Sequence, residues 1–203
     1  EFIEMADAVM REAESRFGTV DRRGMLPLAD HLSFAASRVR NGEQISNPLT
    51  DDIRSLFYSE FKAASIIKDL FRERLGLAID DHEVGYVALH VHSAIEDEKI
   101  SMAMQTAQAV RECVDMLEQE TGEHIDVLSL AYNRLMNHIK YMVARGVTGE
   151  DLKVNMNDYM SVRFPKSYAL ATSVCDRLAA STGLTFDEME IGYLAMHIER
   201  VYS

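Results

Sequence analysis

The octapeptide EVGYVALH at Glu83–His90 returns as EIGYLAMH at Glu190–His197, and five of the eight residues are identical. The three remaining positions exchange one aliphatic residue for a similar one. We define the repeat offset as the step in residue number from His90 to His197. Similarity at a fixed offset is the sequence signature of a duplicated structural unit. We therefore predict that the chain contains two copies of one domain.

A second pair of segments has the same repeat offset. Asp30–Arg38 reads DHLSFAASR and Asn137–Arg145 reads NHIKYMVAR, so the step from His31 to His138 equals the step from His90 to His197. Phe61 and Tyr168, which lie between the two blocks, keep this offset too. A constant offset over more than fifty residues leaves no room for a net insertion. The charged stretch from Glu96 to Lys99 then divides the copies, and the predicted domains are 1–98 and 99–203.

Both copies have the apolar spacing of amphipathic helices rather than the alternation of strands. Asp80 and Glu83 are three residues apart, as in a capping box, and Asp187 and Glu190 repeat this pair. The fold class predicted is all-α, as two tandem five-helix bundles related by internal duplication. The predicted helices of the first copy span about residues 1–17, 25–40, 49–58, 59–75 and 81–96.

Composition and charge exclude several classes of protein. The 203 residues are 47% hydrophobic and carry a net charge of −12, which disfavours direct binding to nucleic acid phosphates. The sequence contains no stretch near the roughly 20 apolar residues that a membrane span needs, so we expect no membrane segment. Cys113 and Cys175 lie far apart and outside any CxxC spacing, which indicates a reducing, cytoplasmic compartment.

Four of the seven histidines recur between the copies: His31, His90, His138 and His197. A single histidine on a helix is usually structural. Two positions that keep histidine in both copies are better candidates for chemistry, although a shared buried hydrogen bond would also explain them. Each lies at the border of an apolar stripe, where a partner could reach the ring.

Arg38 and Arg145 each follow a recurring histidine by seven residues, which is nearly two helical turns and about 10 Å along the axis. Each arginine thus projects from the same helix face as its histidine. One interpretation is that the guanidinium binds an anion attached to the ring. The other is that the arginine only stabilises the C-terminus of its helix.

The motifs of other histidine chemistries are absent. The sequence has no HExxH or HxxxH spacing for zinc, no GxSxG nucleophile elbow and no glycine-rich phosphate loop. His90 and His92 are two residues apart and point to different sides of a helix. We therefore expect no metal and no cofactor. A neutral imidazole is nucleophilic near pH 7, so phosphoryl acceptance by histidine remains.

Two other classes of function stay open at this point. A metal-dependent helical hydrolase could use His31 and His90 together with nearby carboxylates. A constitutive helical scaffold would instead keep all its histidines as core residues. Stoichiometric metal in the purified chain would favour the hydrolase, and the scaffold predicts no labelling by a phosphoryl donor.

At these residues the sequence resembles the PTS regulation domain, which occurs in tandem in transcriptional antiterminators of the BglG/SacY/LicT type. The resemblance covers essentially the whole chain. Its motifs in this sequence are LADHLSFAASR, NGEQISNPL and EVGYVALHVHSA in the first copy, and NHIKYMVAR, RFPKSYALA and EIGYLAMHIERV in the second.

The resemblance implies a homodimer of helical bundles rather than an enzyme. It also implies reversible histidine phosphorylation by HPr and by the B-domain of a sugar-specific enzyme II. Phosphorylation of the first domain generally inhibits such proteins, and phosphorylation of the second generally activates them. The acceptors carried over by motif are His31 and His90, then His138 and His197.

Antiterminators of this type begin with a small RNA-binding domain, whereas this chain starts at Glu1 within the first regulatory domain. We therefore expect a regulatory fragment that would contact RNA only through a preceding domain. Transcriptional activators that bind DNA through a helix-turn-helix also carry these domains and are an alternative parent. Glu199 stands where the first copy has His92, so His92 is not assigned as an acceptor.

Overall fold

The computed structural model describes residues 1–96, 99–127 and 129–202, and all regular secondary structure within these ranges is helical. The chain divides into two compact units, Glu1–Ala107 and Gln108–Ser203, named unit 1 and unit 2 below. The predicted domain boundary lies between residues 98 and 99, and residues 97 and 98 are outside the described ranges. That division stays a prediction.

Unit 1 is built from amphipathic helices whose apolar faces meet in one core. In α1 the buried side chains recur at helical spacing, as at Met5, Val9 and Ala13, and they pack with Leu28 and Leu32 of α2. A short 3₁₀ turn precedes α2. The helices are α1 (Phe2–Phe17), α2 (Met25–Arg40), α3 (Thr50–Leu56), α4 (Tyr58–Ala64), α5 (Ile67–Leu75) and α6 (Asp81–Glu96).

The single helix predicted over residues 59–75 is wrong, because the chain breaks it into α4 and α5. At the break the Ser65 hydroxyl donates to the Phe61 carbonyl, and the Lys68 amide bonds to the Ser65 carbonyl in a tighter, three-residue turn. Serine competes for backbone carbonyls in this way and weakens the regular ladder. If α4 and α5 are counted as one broken helix, the described residues of unit 1 contain five α-helical segments from α1 to α6, besides the 3₁₀ turn and the start of α7.

Unit 2 repeats these bounds closely. Its helix α9 follows α3 at the repeat offset at both ends, and α10 follows the whole α4–α5 segment at that same offset. The predicted all-α duplication is thereby confirmed. The helices are α7 (Ile100–Thr121), which begins in unit 1 and crosses the division between the units, α8 (Leu130–Thr148), α9 (Asn157–Arg163), α10 (Pro165–Thr182) and α11 (Met189–Tyr202).

Equivalent glycines end the helical segments that precede the repeated octapeptides. Gly76 follows α5 with φ of 66°, and Gly183 follows α10 with φ of 70°. This left-handed conformation favours glycine, and the amide of each glycine bonds back to a carbonyl of the last helical turn. The chain is thus redirected at the same point in both units, just before α6 and α11.

Among the described residues, none of the helices combines the length and the apolar character that crossing a bilayer requires.

Candidate functional site

In unit 1 two helices bring a histidine, a carboxylate and a guanidinium together. His31 and Arg38 are seven residues apart on α2, and Glu83 and His90 are seven residues apart on α6. Arg38 meets Glu83 and His31 meets His90, so the order along one helix is reversed along the other. Matched spacings of about two turns on facing helices place all four side chains in one cluster.

Glu83 is the centre of this cluster. Its side chain is 1% exposed, and one carboxylate oxygen, Oε1, accepts a hydrogen bond of 2.6 Å from Nη2 of Arg38. The other oxygen, Oε2, lies 3.1 Å from Nε2 of His31. Burial opposes ionisation, but the hydrogen bonds from His31 and Arg38 hold the pKa of Glu83 below its ordinary value. The carboxylate is therefore charged and engaged on both oxygens.

His90 completes the cluster as a neutral ring. Its centroid lies 5.4 Å from that of His31, and the ring centroid of Tyr86 lies 5.7 Å from that of His31. Burial, together with the charge that His31 can carry, lowers the pKa of His90 to about 4. The unprotonated ring keeps the lone pair that nucleophilic chemistry requires.

Unit 2 contains the same four residues, two histidines, an arginine and a glutamate, at equivalent positions. Arg145 on α8 donates from Nε and Nη2 to the two oxygens of Glu190 on α11, at 2.6 and 2.8 Å. This is a bidentate pair, the strongest geometry available to arginine and a carboxylate. The hydrogen bond to Glu190 also raises the pKa of Arg145. Glu190 is as buried as its counterpart in unit 1.

The histidines of unit 2 are less well satisfied. Nε2 of His138 lies 3.6 Å from Oε2 of Glu190, beyond hydrogen-bond distance, and this buried nitrogen has no partner in the described structure. The buried Nδ1 of His197 also has none. The two rings stack with centroids 4.8 Å apart, so the unpaired nitrogens belong to one pair of rings.

Burial determines the charge state of this pair. It lowers the pKa of His138 to about 3, with smaller contributions from His197 and Arg145. Burial also lowers the pKa of His197, assisted by Arg200 and Arg134. Both rings are therefore neutral near pH 7.

Within each unit the structure brings together the three residues singled out from the sequence, but their settings differ from expectation. His31 keeps 17% of its side chain exposed, as a boundary position predicts, whereas His138 is buried. Both arginines lie in the last turn of their helix, but their contacts extend beyond the helix end. Each is paired with a buried carboxylate of the facing helix.

Glu83 and Glu190 were missed as site residues, because their place near a helix start suggested a capping box. Asp80 does accept the amides of His82 and Glu83, but the side chain of Glu83 turns to α2 instead. A signal was present in the sequence. Each glutamate lies seven residues before a recurring histidine, which mirrors the seven-residue step from histidine to arginine on the other helix.

His92, which does not recur, has a structural role. It is fully buried, lies with its ring centroid 4.2 Å from that of Phe57 in a tilted arrangement, and bonds Glu60 at 3.0 Å. In unit 2 the equivalent contact joins Glu199 to the Ser167 hydroxyl at 2.5 Å. The acidic residue has therefore changed helices between the copies while the contact is kept, which explains why histidine is dispensable at this position.

The geometry of a metal site is not found. Within the residues that the structure describes, no group of three or more histidine, cysteine, aspartate or glutamate side chains is arranged to hold a metal ion. A pocket of about 310 Å³ borders Arg145 and Glu190, but Glu150, Asp151 and Asp187 also line it. Such an acidic lining disfavours a freely diffusing anion.

Comparison with known proteins gives the same assignment for both units. The family model described as the PRD domain matches residues 7–94 and again residues 111–201. The chain is 25% identical to the GlcA/glcB genes antiterminator of Staphylococcus carnosus (strain TM300) over 88% of its length. It spans 63% of that relative, so it corresponds to only part of such a protein.

Two further relatives agree. The beta-glucoside operon antiterminator of Dickeya chrysanthemi is 26% identical over the full chain and 73% of the relative. The PtsGHI operon antiterminator of Bacillus subtilis (strain 168) is 28% identical over 83% of the chain and 61% of the relative. These names describe regulators rather than enzymes. With two matches that together cover most of its residues, the chain belongs to the PRD domain family.

Proposed function

We propose that the chain is the regulatory and dimerisation module of a transcriptional antiterminator, controlled by reversible phosphorylation of His31, His90, His138 and His197. The phosphoryl donors are HPr and the enzyme II B-domain of the sugar phosphotransferase system. The module acts in the cytoplasm, is not an enzyme, and controls an RNA-binding domain that precedes it. The names of the relatives favour this parent over a DNA-binding activator.

The paired clusters carry this proposal. Each contains a neutral imidazole, His90 in unit 1 or His138 in unit 2, in the same cluster as an ion pair between a buried carboxylate and an arginine. A phosphoryl group adds roughly −1.5 to −2 of charge. Next to a buried carboxylate this charge is strongly repelled, and it competes with the carboxylate for the guanidinium. Phosphorylation is therefore able to break the Arg–Glu pair that joins the two helices.

In this scheme Arg38 and Arg145 become phosphate-contacting residues only after modification. In the unmodified chain Arg38 still has a buried Nε without a partner in the described structure, so it has a donor to offer. The acidic lining of the pocket beside Arg145 argues that phosphate arrives covalently, on a ring, rather than from solution.

Breaking the Arg–Glu pair would change how two chains associate, and this association would in turn control the RNA-binding domain. Phe34 and Tyr141 occupy equivalent positions, three residues after His31 and His138, and are 68% and 61% exposed. Exposed aromatic side chains at matching places support a homodimer contact near the clusters. Moving a dimer from mostly inactive to mostly active needs about 5.5 kcal/mol of differential interaction. Charge-assisted hydrogen bonds of roughly 1.5–3 kcal/mol each, present twice in a symmetric dimer, can supply it.

The test is transfer of radioactive phosphate from phosphoenolpyruvate through enzyme I and HPr. We expect acid-labile label on the wild-type chain, and loss of label from residues 99–203 in the His138→Ala/His197→Ala double variant. His124→Ala is the matched control, because His124 is exposed and lies outside both clusters. Label that persists in residues 99–203 of the double variant would refute the acceptor assignment. A wild-type chain that stays unlabelled while HPr is labelled would refute the function.

A further inference from the structure

We propose that Glu83 is a positioning residue that holds His31 with its proton on Nε2 and thereby directs the incoming phosphoryl group to Nδ1. The inference deepens the proposed function and rests on it. It concerns the chemistry of one acceptor rather than the existence of phosphorylation.

The first step is the contact between the ring and the carboxylate. Nε2 of His31 lies 3.1 Å from Oε2 of Glu83. An ionised carboxylate only accepts hydrogen bonds, so the ring nitrogen that faces it must carry the hydrogen. A neutral imidazole has a single N–H, and the lone pair is then on the other nitrogen. In the neutral form of His31, Nδ1 is therefore the nucleophilic atom.

The second step is the rigidity of the carboxylate. Glu83 is 1% exposed, and its other oxygen is occupied by Arg38 at 2.6 Å. The bonds from His31 and Arg38 outweigh burial and keep its pKa low, so it is ionised at neutral pH. A carboxylate fixed at one end leaves a single oxygen facing the ring, and this fixes the tautomer.

The transfer then needs no proton movement. The Nδ1 lone pair attacks the phosphorus of a carrier phosphohistidine, and a new P–N bond forms as the P–N bond of the carrier breaks. The second nitrogen of the carrier ring carries a proton, so the electron pair of the broken bond leaves a neutral carrier imidazole, and the positive charge passes from the carrier ring to His31. His31 becomes an Nδ1-phosphoryl imidazolium whose Nε2–H points at Glu83, so the new positive charge lies beside a carboxylate that was already in place.

Unit 2 shows that this arrangement is not a general result of the repeat. Both oxygens of Glu190 are bonded by Arg145, and Nε2 of His138 lies 3.6 Å away without a partner. No hydrogen bond of this kind fixes the tautomer of His138. Control by the carboxylate is therefore assigned to His31 alone.

The experiment uses the whole chain labelled with ¹⁵N-histidine. Long-range ¹H–¹⁵N spectra of the unmodified chain report the tautomer, and the His31 signals are identified by their loss in His31→Ala. After incubation with phosphoenolpyruvate, enzyme I and HPr, ¹⁵N–³¹P coupling reports which nitrogen carries phosphorus. We expect the Nε2–H tautomer before reaction and phosphorus on Nδ1 after it.

The outcomes separate the two proposals. Phosphorus on Nε2 of His31, or an Nδ1–H tautomer before reaction, overturns the role of Glu83 and leaves the proposed function standing. If His31 carries no phosphorus while HPr is phosphorylated, both the role of Glu83 and the assignment of His31 as an acceptor are overturned. Both readings are made on the unaltered chain, and His31→Ala serves only to identify the His31 signals.

Glu83→Gln sharpens the test. Arg38 can only donate, so it takes the amide oxygen, and the NH₂ group then faces Nε2 of His31 and forces that atom to accept. We expect the tautomer to invert and phosphoryl transfer to His31 to slow by about tenfold or more, the scale of a lost charge-assisted hydrogen bond.

Glu118→Gln is the matched control, because Glu118 lies 2.7 Å from the exposed His124 and belongs to neither cluster. We expect it to leave His31 unchanged. An unaltered tautomer and rate in Glu83→Gln would overturn the proposal.

Discussion

The clusters of the two units contain the same set of two histidines, an arginine and a glutamate, but the central carboxylate is bonded differently in each. In unit 1 Glu83 divides its oxygens between His31 and Arg38. In unit 2 Arg145 takes both oxygens of Glu190, and the helices α8 and α11 are in broader contact than α2 and α6. The distance from Nε2 of the histidine to the carboxylate is 3.1 Å in unit 1 and 3.6 Å in unit 2. The carboxylate therefore bonds both the histidine and the arginine in unit 1, but only the arginine in unit 2.

This comparison teaches that duplicated sites with identical residues need not be equivalent sites. His31 is oriented and partly exposed, whereas His138 is buried and lacks a partner at Nε2. A buried polar atom without a hydrogen bond costs about 1–3 kcal/mol, which unit 2 tolerates. Unit 2 thus gains the most from any change that supplies this nitrogen with a partner.

The largest expected effect comes from removing the arginines. Arg145→Ala leaves Glu190 buried without a hydrogen-bonded partner, since His138 is too far away, and we expect a loss of about 3–5 kcal/mol in the stability of unit 2. Arg38→Ala leaves Glu83 with His31, and we expect a smaller loss in unit 1 of about 1–3 kcal/mol. Hydrogen exchange of the α11 and α6 amides measures each unit separately. Equal losses would contradict the different sharing of the carboxylate.

Acidification is expected to weaken unit 2 more than unit 1. The pKa of His138 is lowered to about 3 and that of His90 to about 4, in both cases mainly by burial, whereas an unfolded histidine titrates near 6.5. As pH falls below about 6.5, the histidines of the unfolded chain become protonated while the buried native rings stay neutral. The free energy of unfolding therefore falls by about 1.4 kcal/mol for each pH unit and each ring.

The window that isolates the histidines is pH 7 to 5, since the lowered pKa of Glu83 adds its own loss only below about pH 4.5. In unit 2 the pKa values of both His138 and His197 are lowered, so both rings contribute to the loss of stability. Hydrogen exchange of the α11 amides measures this loss. We expect His138→Gln to flatten the pH profile of unit 2 and His124→Gln to leave it steep. Earlier loss of protection in unit 1 would contradict this prediction.

A glycine comparison gives a smaller effect. A Cβ at Gly192 would lie 2.6 Å from Oδ1 of Asn157 and 2.9 Å from backbone atoms, whereas at Gly85 the nearest atom is 3.7 Å away, on Asn47. We expect Gly192→Ala to destabilise unit 2 by about 1–3 kcal/mol through overpacking. Gly85→Ala should be neutral or slightly stabilising, because alanine is the better helix former. Urea denaturation of the two variants tests the difference, and a larger loss at Gly85 would be inconsistent with it.

The smallest effect is expected at the exposed aromatics. Phe34→Ser and Tyr141→Ser remove side chains that do not belong to a core, so each unit should keep its stability within about 0.5 kcal/mol. Thermal melting checks this, and sedimentation of the same variants tests whether the homodimer contact includes these positions. A drop of several kcal/mol in either unit would show that these side chains are buried in the folded chain.

The helical repeat was predictable from the sequence because it depends on the spacing of apolar residues and of the repeated motifs along the chain. The constant offset and the apolar periodicity placed α1, α2 and α6 to within a residue. The break at Ser65 was not predictable in the same way, since the flanking residues favour helix and a local hydroxyl bond decides it. At Gly192 only packing against Asn157 explains why glycine is required.

The site residues on α2 and α8 were all predictable from the sequence, whereas on α6 and α11 the histidines were predicted and the glutamates were not. Recurrence identified His31, His138 and their arginines, while Glu83 and Glu190 looked like caps because a capping role satisfies the same local pattern. The burial of His138 and the 3.6 Å gap to Glu190 depend on how closely two helices pack, which side-chain spacing along one helix does not determine.

The central claim is that the recurring histidines, and no others, accept phosphoryl groups. Its most direct test is mass-spectrometric mapping of phosphate under non-acidic conditions, after incubation of the chain with phosphoenolpyruvate, enzyme I, HPr and an enzyme II B-domain. We expect phosphate on peptides that contain His31, His90, His138 or His197. Phosphate on His82, His92 or His124 instead, or none while HPr itself is phosphorylated, would contradict the account.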